Sequence, residues 1–398
     1  MEQSNTTRRI SARRQRFQKM RLLQGSVLAI FFFSFVLLFG LIALLSPDRA
    51  FSDTENRTLA QRPKLTRDAA VSGQYGEDLA SYTADQFPAR NFWVRLKTKW
   101  DLFLGKKESN GVYLCEDDYL IEVPSAPNEE ELAKNLEAIN TFASDNSGLS
   151  CHMCIVPNAI FVMRDKLPKN APGQDQAAGI ENIRQQLTGV SFHDVTDILC
   201  EHKDEPLYYR TDHHWTSLAA SYAFSQLASG MKITPVTDYD IYTVSNSFEG
   251  TLSNKCGISP KQDVIEIFVP KTDVIYNVTC SGTSETGDEI PVSRSMYVRD
   301  RLNDKNQYTV FFGGNYPLVT IDTTADCGRT LLLFKDSYAN CMVQFLYPYF
   351  DHILMVDPRY YTGSVASLIR QNSVTDVLFF YNYSTFMQDT SLANALMY

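Results

Sequence analysis

The stretch "TLLLFKDSYANCMVQFLYPYFDHILMVD" (residues 330–357) decides the fold. Its apolar runs "TLLLFKD" and "HILMVD" predict buried strands, and the intervening "SYANCMVQFLYPYF" predicts a helix. The segments "SVASLIRQ" and "DVLFFYN" continue the alternation with another helix and another strand. Apolar strands joined by helices of this length indicate a parallel sheet with both faces covered. We therefore predict an α/β fold.

The same alternation extends towards the N-terminus. Helices are predicted in "EEELAKNLEAINTFASDN", "QDQAAGIENIRQQLTG" and "SLAASYAFSQLAS", and strands in "LSCHMCIVPN" and "VSFHDVTDIL". Residues 230–310 contain short β-like runs and are predicted to be a β-rich insertion. Earlier, "NGVYLCEDDYLIE" alternates like a hairpin. Apolar residues also recur on one face of a predicted helix at Phe92, Leu96, Trp100 and Phe103.

The N-terminal segment predicts a membrane anchor. Residues 22–45, "LLQGSVLAIFFFSFVLLFGLIALL", contain no charge and follow seven basic residues. This run can cross a hydrocarbon core of about 30 Å. It is longer than the apolar region of a signal peptide and lacks a good cleavage site, so an uncleaved signal anchor is favoured over a cleaved signal. The positive-inside rule makes residues 1–21 a cytoplasmic tail and places the remainder outside the cell.

The segment after the anchor is acidic. We predict a linker at residues 46–75 and one folded domain at residues 76–398. Of the 37 basic and 46 acidic residues, seven basic residues and one acidic residue precede residue 22, which leaves a net charge of −15 beyond it. This balance argues against nucleic acid or an anionic polymer held by overall charge. Neutral sugars and small molecules remain open as substrates.

The chain has eight cysteines, and its expected location would allow disulfides. Their pairing does not follow from sequence. Cys151 and Cys154 form a C-x-x-C motif inside a predicted buried strand, and no second such motif completes a zinc site. We expect structural cysteines.

A serine follows one of the predicted strands directly. Open parallel sheets carry their active groups at the carboxyl ends of strands, and Asp336-Ser337 lies at such an end, before a helix. The Ser337 N–H, near a helix N-terminus, would suit an oxyanion. The alternative is that Asp336 or Ser337 caps the helix.

A base for that serine is available in "RTDHHWTS" (residues 210–217). In an extended turn, Asp212 and His214 point the same way, and His213 points to the opposite side. Asp212 can then hold Nδ1–H of His214 while Nε2 takes a serine proton. Two alternatives remain: histidines that only pack, and a metal site that His193 would join. Asp212, His213 and His214 are too crowded to supply three metal ligands at once, so we expect no metal.

These stretches together resemble the DHHW family of bacterial cell-surface proteins, named for the tetrad at Asp212–Trp215. That family is similar to the SGNH-hydrolase-like proteins that O-acetylate alginate. The resemblance rests on motifs in a fixed order: "ENRTLAQRP" (55–63), "DQFPARN" (85–91), "NGVYLCEDDYLIE" (110–122), "TDHHWT" (211–216), "GGNYP" (313–317) and "LLLFKDSYAN" (331–340). Each motif is weak alone, but their order is specific.

The resemblance implies an SGNH-hydrolase-like three-layer sandwich with a mainly parallel sheet and a permuted motif order, because Asp212 and His214 precede Ser337. By position, Ser337 is the nucleophile, His214 the general base and acid, and Asp212 its orienting residue. Lys335 stands where SGNH hydrolases have glycine, which leaves the oxyanion geometry undecided. Further oxyanion or pocket residues are expected at Gly314, Asn315, Asn382, His213, Trp215, Lys335 and Tyr338.

The implied function is that of a membrane-anchored, extracytoplasmic serine O-acyltransferase that works without a cofactor. It would transfer an acyl group, in the first instance acetyl, to a cell-envelope polysaccharide. A multispanning membrane-bound acyltransferase would be the partner that supplies acyl groups. Two alternatives are an acetyl-esterase that acts on the same glycan and an inactive glycan-binding or assembly scaffold.

Overall fold

The structure is a computed structural model that describes residues 2–52, 57–258, 261–282 and 295–397. Residues 55–56 of the first family-like motif, and residues 259–260 and 283–294 of the predicted insertion, lie outside the described residues. The chain divides into two compact units. The first comprises Met1–Ser52 and Arg57–Trp93, and the second comprises Asp53–Asn56 and Val94–Tyr398.

The first unit contains the predicted anchor. Its elements are α1 (Glu2–Leu45), β1 (Phe51–Ser52), β2 (Arg57–Thr58), α2 (Arg67–Ser72), α3 (Gln74–Asp85) and the start of α4 (Arg90–Phe103). Among the described residues, Phe17–Leu45 is the one helical segment long and apolar enough to cross a membrane. After it, the Asp85 carboxylate accepts from the Ala60 N–H (2.9 Å), and the Gln86 amide donates to the Arg49 carbonyl (2.8 Å). These bonds fasten the linker to the end of α3.

The second unit begins with a small sheet and continues into the α/β domain. After α4 its elements are β3 (Glu108–Ser109), β4 (Val112–Leu114), β5 (Leu120–Glu122), α5 (Glu129–Asp145), β6 (Ser150–Val156), α6 (Ala159–Val162), α7 (Gln176–Gln186), β7 (Ser191–Phe192), α8 (Thr196–Glu201), α9 (Ser217–Gly230), β8 (Tyr239–Phe248), α10 (Thr251–Cys256), β9 (Asp263–Pro270), β10 (Tyr276–Ser281), β11 (Leu318–Thr323), β12 (Thr330–Lys335), α11 (Ala339–Leu346), β13 (His352–Val356), α12 (Val365–Asn372), β14 (Asp376–Asn382), α13 (Tyr383–Phe386) and α14 (Leu392–Met397). Most of these elements match the helices and strands predicted from periodicity.

The central sheet has the strand order β10-β11-β13-β12-β14-β6-β7. Strands β13, β12, β14, β6 and β7 are parallel, whereas β10 and β11 are antiparallel additions at one edge. Every residue of β12 and β14 is buried. Alternate side chains of β12 enter two separate apolar cores, with Leu331 and Leu333 on one face and Leu332 and Phe334 on the other. The predicted mainly parallel, three-layer arrangement is confirmed.

Three details differ from the sequence-based expectations or add to them. The predicted strand "VSFHDVTDIL" is a strand only at Ser191–Phe192, because the Asp194 side chain accepts from the Thr196 N–H (2.8 Å) and a helix begins there. The predicted insertion is not wholly separate, since β10 joins the central sheet. All eight cysteines are unpaired, and Cys151 and Cys154 are buried in β6.

Candidate active site

Polar residues gather where the parallel strands end. Strands β6, β12, β13 and β14 finish at the same edge of the sheet, and Asn158, Ser337, Asp357 and Asn382 lie at or just beyond their last residues. The Asn158 amide donates to the Asn382 side-chain oxygen across this edge (3.1 Å). The edge therefore brings together residues that are far apart in the sequence.

The turn that carries Ser337 is held by the residue before it. The buried Asp336 carboxylate accepts from the Tyr338 N–H and from the Asn382 N–H, both at 2.8 Å. Burial raises the pKa of Asp336 to about 6, against the opposing effect of these backbone hydrogen bonds. Ser337 then lies between β12 and α11, and its hydroxyl bonds to His214. Asp336 thus shapes the turn, while the serine side chain faces a histidine.

The "DHHW" turn projects His214 from the start of a helix. Backbone bonds from Tyr209 N–H to the His214 carbonyl (3.2 Å) and from Thr216 N–H to the Leu207 carbonyl (2.9 Å) close the loop. The Thr216 side chain then caps α9 by accepting from the Ala219 N–H (3.3 Å). These bonds hold the backbone on both sides of His214.

Asp212, His214 and Ser337 form a continuous hydrogen-bonded chain. His214 Nδ1 lies 2.5 Å from Asp212 Oδ1, and His214 Nε2 lies 2.7 Å from Ser337 Oγ. An ionised carboxylate can only accept, so Nδ1 carries the proton. The lone pair on Nε2 then faces the serine hydroxyl, which donates to it.

Thr251 fixes the far side of the carboxylate. Its N–H and its hydroxyl donate to Asp212 Oδ2 at 2.7 and 2.9 Å. Because the hydroxyl proton is used there, His213 Nδ1 donates to Thr251 Oγ1 (2.8 Å). The His213 ring therefore lies against the His214 ring, with centroids 4.0 Å apart. The expectation that His213 points to the opposite side is wrong, because Thr251 draws both side chains together.

Burial and the charges of neighbouring residues determine the protonation of Asp212 and His214. Burial tends to raise the pKa of Asp212, but His213, His214 and the hydrogen bonds outweigh it and hold that pKa below its usual range. Burial, together with His213, lowers the pKa of His214 to about 4, although Asp212 acts in the opposite direction. At neutral pH the site holds a carboxylate and a neutral imidazole, which is the state a general base requires.

Aromatic residues brace the histidine and the serine. The Tyr308 ring stacks on His214 with centroids 3.8 Å apart, and its hydroxyl donates to the Ser337 carbonyl (3.0 Å). The buried Trp215 donates its indole N–H to the Tyr338 carbonyl (3.0 Å). Tyr338 in turn donates to the His213 carbonyl (2.6 Å). The two turns are therefore tied to each other by bonds outside the Asp–His–Ser chain.

Lys335 links the serine block to the "GGNYP" loop. Its buried ammonium donates to the side-chain oxygens of Asn315 (2.8 Å) and Asn340 (2.9 Å) and lies 3.6 Å from Asp357 Oδ2. The charged side chain thus holds Asn315 beside the strand end that carries Ser337.

Two backbone N–H groups are candidates for binding an oxyanion: that of Ser337 itself and that of Gly314, in the loop whose Asn315 is bonded to Lys335. Residues 312–314 have positive φ in succession (63°, 82° and 141°), a backbone shape that glycine accommodates at Gly313 and Gly314. Within the described part of the chain, the N–H groups of Gly314 and Ser337 donate to no acceptor. By contrast, both N–H groups of the Asn382 amide donate elsewhere, to Asp336 and to Thr385, at 2.7 Å each.

A metal ion at Asp212, His213 and His214 would need ligand atoms that are already hydrogen-bonded. Ligand atoms of Asp212, His213 and His214 lie within 4.8 Å of one another. However, both nitrogens of His214, Nδ1 of His213 and both oxygens of Asp212 take part in the bonds described above. A metal would have to break the Asp–His–Ser chain in order to bind.

A small cavity of about 130 Å³ lies beside Asp212 and His213. Its lining combines apolar and polar groups: residues 120–125, Asn158, Ala159, Ile160, Asp212, His213, Leu252 and Ser384. The His213 ring thus forms part of a surface next to the hydrogen-bonded chain.

Three residues of the site, Thr251, Tyr308 and Asn158, lie outside the motifs of the sequence. Thr251 and Tyr308 lie in the predicted insertion, where neither spacing nor composition distinguished them from other polar and aromatic residues. Asn158 follows β6 directly, and the rule about carboxyl strand ends could have found it. The insertion consequently contributes contacts to His214 and Asp212 that no motif indicated.

Comparisons with known proteins agree with this architecture. The family model described as "DHHW protein" matches residues 139–356. A solved DHHW family protein from Eubacterium siraeum is 24% identical, with a TM-score of 0.61 over 73% of this chain and 96% of that one. Bacillus cereus PatB1, solved with a sulfonyl adduct, is 20% identical, with a TM-score of 0.57 over 69% and 97%.

The O-acetyltransferase domain of Pseudomonas putida AlgJ is more distant, at 16% identity and a TM-score of 0.46 over 71% of this chain and 95% of that one. No curated protein sequence matches the chain. The family match covers more than half of the chain, and the first two structures share its fold. The chain belongs to the DHHW family.

Proposed function

We propose that the chain is a serine O-acyltransferase that forms an acyl-enzyme on Ser337. The observation that carries the proposal is the hydrogen-bonded chain from Asp212 through His214 to Ser337, with 2.5 and 2.7 Å between its members. A serine hydroxyl is a weak nucleophile unless a base accepts its proton. Here a neutral imidazole is already in hydrogen-bond contact with it.

In the first step, Ser337 Oγ attacks the carbonyl carbon of an acyl donor while its proton moves to His214 Nε2. The Asp212 carboxylate stabilises the imidazolium that results, and Thr251 keeps that carboxylate in place. The N–H groups of Ser337 and Gly314 are proposed to stabilise the oxyanion. His214 then gives its proton to the departing group, which leaves the acyl group on Ser337.

In the second step, an acceptor hydroxyl attacks the acyl-enzyme. Its proton passes to His214 Nε2, and the collapse of the intermediate returns this proton to Ser337 Oγ. Water as acceptor would give hydrolysis, and a sugar hydroxyl would give transfer. His213 and the cavity beside it are proposed to bind the molecule that accepts the acyl group, because the His213 ring is partly exposed next to His214.

The acceptor and the location follow from the family resemblance and from α1. Resemblance to the alginate-acetylating proteins supports a cell-envelope polysaccharide as acceptor and acetyl as the acyl group. The apolar segment Phe17–Leu45 supports a single-pass anchor, with the second unit outside the cell. A multispanning acyltransferase is the proposed source of acyl groups, since an anchor beside it would raise the effective concentration.

The test uses the full chain, a chromogenic acetyl ester and mass spectrometry. Wild-type protein should release the chromophore and gain one acetyl group at Ser337, and a sulfonyl fluoride should modify the same residue. Ser337→Ala should lower turnover by about 10³-fold or more. Ser221→Ala, which removes a serine hydroxyl on α9 that bonds only within its helix, is the matched control and should turn over normally. Equal turnover in Ser337→Ala would refute the serine mechanism.

Transfer and hydrolysis are separated by the fate of the acyl-enzyme. If the chain is a transferase, added oligosaccharide should speed the loss of acetyl from Ser337 and should itself become acetylated. If acetyl is lost at the same rate with and without oligosaccharide, the chain is an esterase.

A further inference from the structure

Helix α4 exposes an apolar stripe formed by Leu96, Trp100 and Phe103. An α-helix has about 3.6 residues per turn, so these positions share one face. Their side chains are 48%, 61% and 78% exposed, and Leu104, just beyond the helix, is 58% exposed. The rings of Trp100 and Phe103 lie 5.6 Å apart. The sequence predicted these three residues, together with Phe92, on one helix face, and the structure leaves the three exposed.

The opposite face of α4 is polar and buried. Thr98 donates to the Cys256 carbonyl (2.5 Å) and is bonded to Ser109 (3.0 Å). Asp101 accepts from Lys97 (2.7 Å) and Lys106 (2.8 Å). A surface helix ordinarily buries its apolar face and exposes its polar one. The reversal shows that the stripe is not part of the core of the second unit.

The stripe is surrounded by exposed basic side chains. Arg95, Lys97, Lys99, Lys106 and Lys107 are all exposed, and the one acidic residue between positions 95 and 107 is the buried Asp101. Because Asp101 binds Lys97 and Lys106, the charge available to a ligand comes from Arg95, Lys99 and Lys107. Lys97 and Lys99 fall on either side of the stripe. This local positive charge stands out because the chain beyond residue 21 is strongly acidic.

We propose that the stripe inserts into the interface of an anionic lipid bilayer. Tryptophan and phenylalanine are favoured at the depth of the headgroups, and lysine stems can lie along apolar surface while their charges reach anionic lipid. A protein partner would present a different pattern, because the cores of protein interfaces are depleted in lysine. The proposal does not depend on the chemistry of Ser337.

The test measures contact between Trp100 and lipid in the full chain. The protein is reconstituted into nanodiscs of phosphatidylcholine and phosphatidylglycerol, with or without bromine on the acyl chains. The emission of Trp100 is obtained by subtracting the emission spectrum of Trp100→Phe from that of the wild type. This subtraction removes the signals of Trp93 and Trp215. We expect brominated lipid to remove most of this difference emission, and to remove less of it in discs without phosphatidylglycerol.

Two further variants make the result specific. Leu96→Glu/Phe103→Glu should abolish the quenching of Trp100, whereas Ile275→Glu, at an apolar site that is 71% exposed elsewhere in the second unit, should leave it intact. Resistance to alkaline extraction reports the insertion of α1 separately, so a failure of the anchor is not mistaken for a failure of the stripe. If brominated lipid left the Trp100 emission unchanged, the proposal would be overturned. It would equally be overturned if Trp100 became protected only after a multispanning acyltransferase was added to the discs.

Discussion

Two histidine clusters lie at opposite ends of the same parallel sheet. At the carboxyl ends of the strands, His214 lies between Asp212 and Ser337. Near the amino ends, His152 Nδ1 is 2.9 Å from His193 Nε2, and His152 Nε2 is 4.0 Å from Asp376 Oδ1. Each cluster therefore contains a buried carboxylate beside a buried histidine.

The clusters differ in what their polar atoms are bound to. The Asp376 carboxylate is held by Arg329, whose guanidinium lies 2.5 Å from it, and His152 faces a second imidazole. In the other cluster the carboxylate bonds directly to the ring, and the ring bonds to a hydroxyl. Burial lowers the pKa of His193 to about 4, as it does for His214. A low histidine pKa thus does not separate the two clusters, whereas the hydrogen-bonded chain from Asp212 through His214 to Ser337 does.

Replacing the central histidine of each cluster is the strongest test of this difference. His214→Gln removes the proposed base and should lower ester turnover by about 10³-fold or more. His152→Gln removes a histidine of similar burial and should leave turnover per folded molecule close to that of the wild type. Steady-state kinetics give the comparison, and circular dichroism gives the folded fraction. Comparable losses in both variants would mean that packing, not proton transfer, explains the effect.

A smaller effect is expected from the residue that orients the carboxylate. Thr251→Val removes the hydroxyl that bonds Asp212 Oδ2 and His213 Nδ1, but it keeps the backbone N–H bond to Asp212. Of the two hydrogen bonds lost, the one to the Asp212 carboxylate acts on the proposed base, and its loss, about 1 to 2 kcal/mol, should lower kcat about tenfold. Thr251→Ser retains the hydroxyl and should recover most of the activity. If Thr251→Ser were as slow as Thr251→Val, the methyl group rather than the hydroxyl would be important.

The sequence predicted the parallel sheet well, because buried strands and their connecting helices have strong, local patterns. Strands β12, β13 and β14 each contain a continuous apolar run, at residues 331–334, 353–356 and 377–381, so the burial of these runs on both faces of the sheet can be predicted directly. The prediction of a longer strand at β7 was wrong for a local reason, since the Asp194 side chain starts a helix inside an apolar run. A local side-chain hydrogen bond of this kind leaves the hydrophobic periodicity of the sequence unchanged, so periodicity alone does not reveal it.

The site was only partly predictable, because its support comes from distant segments. Asp212, His214 and Ser337 lie in recognisable motifs, but Thr251 and Tyr308 lie in a region without a motif. The orientation of His213 also depends on Thr251, and a rule about alternating side chains in a turn could not anticipate that bond. Contacts between separate chain segments therefore account for what the sequence left open.

The smallest expected effect concerns the stability contributed by the cluster at the amino ends. Burial, reinforced by His152, holds the pKa of His193 at about 4, below the usual value for histidine of about 6.5. Between these two values the unfolded chain binds a proton more readily than the folded chain. The folded state therefore loses stability as the pH falls from about 6.5 towards 4.

His193→Gln removes this titration and should change the pH dependence of unfolding. The free energy of unfolding of the variant relative to the wild type should rise by about 1 kcal/mol between pH 7 and pH 5, after allowance for solvent screening. Urea unfolding at both pH values gives this difference, and any loss of packing at His152 cancels because it is present at both. A His193→Gln difference that stays constant with pH would mean that His193 titrates alike in the folded and unfolded chain, and the two clusters would then differ in the protonation of their histidines as well as in their partners.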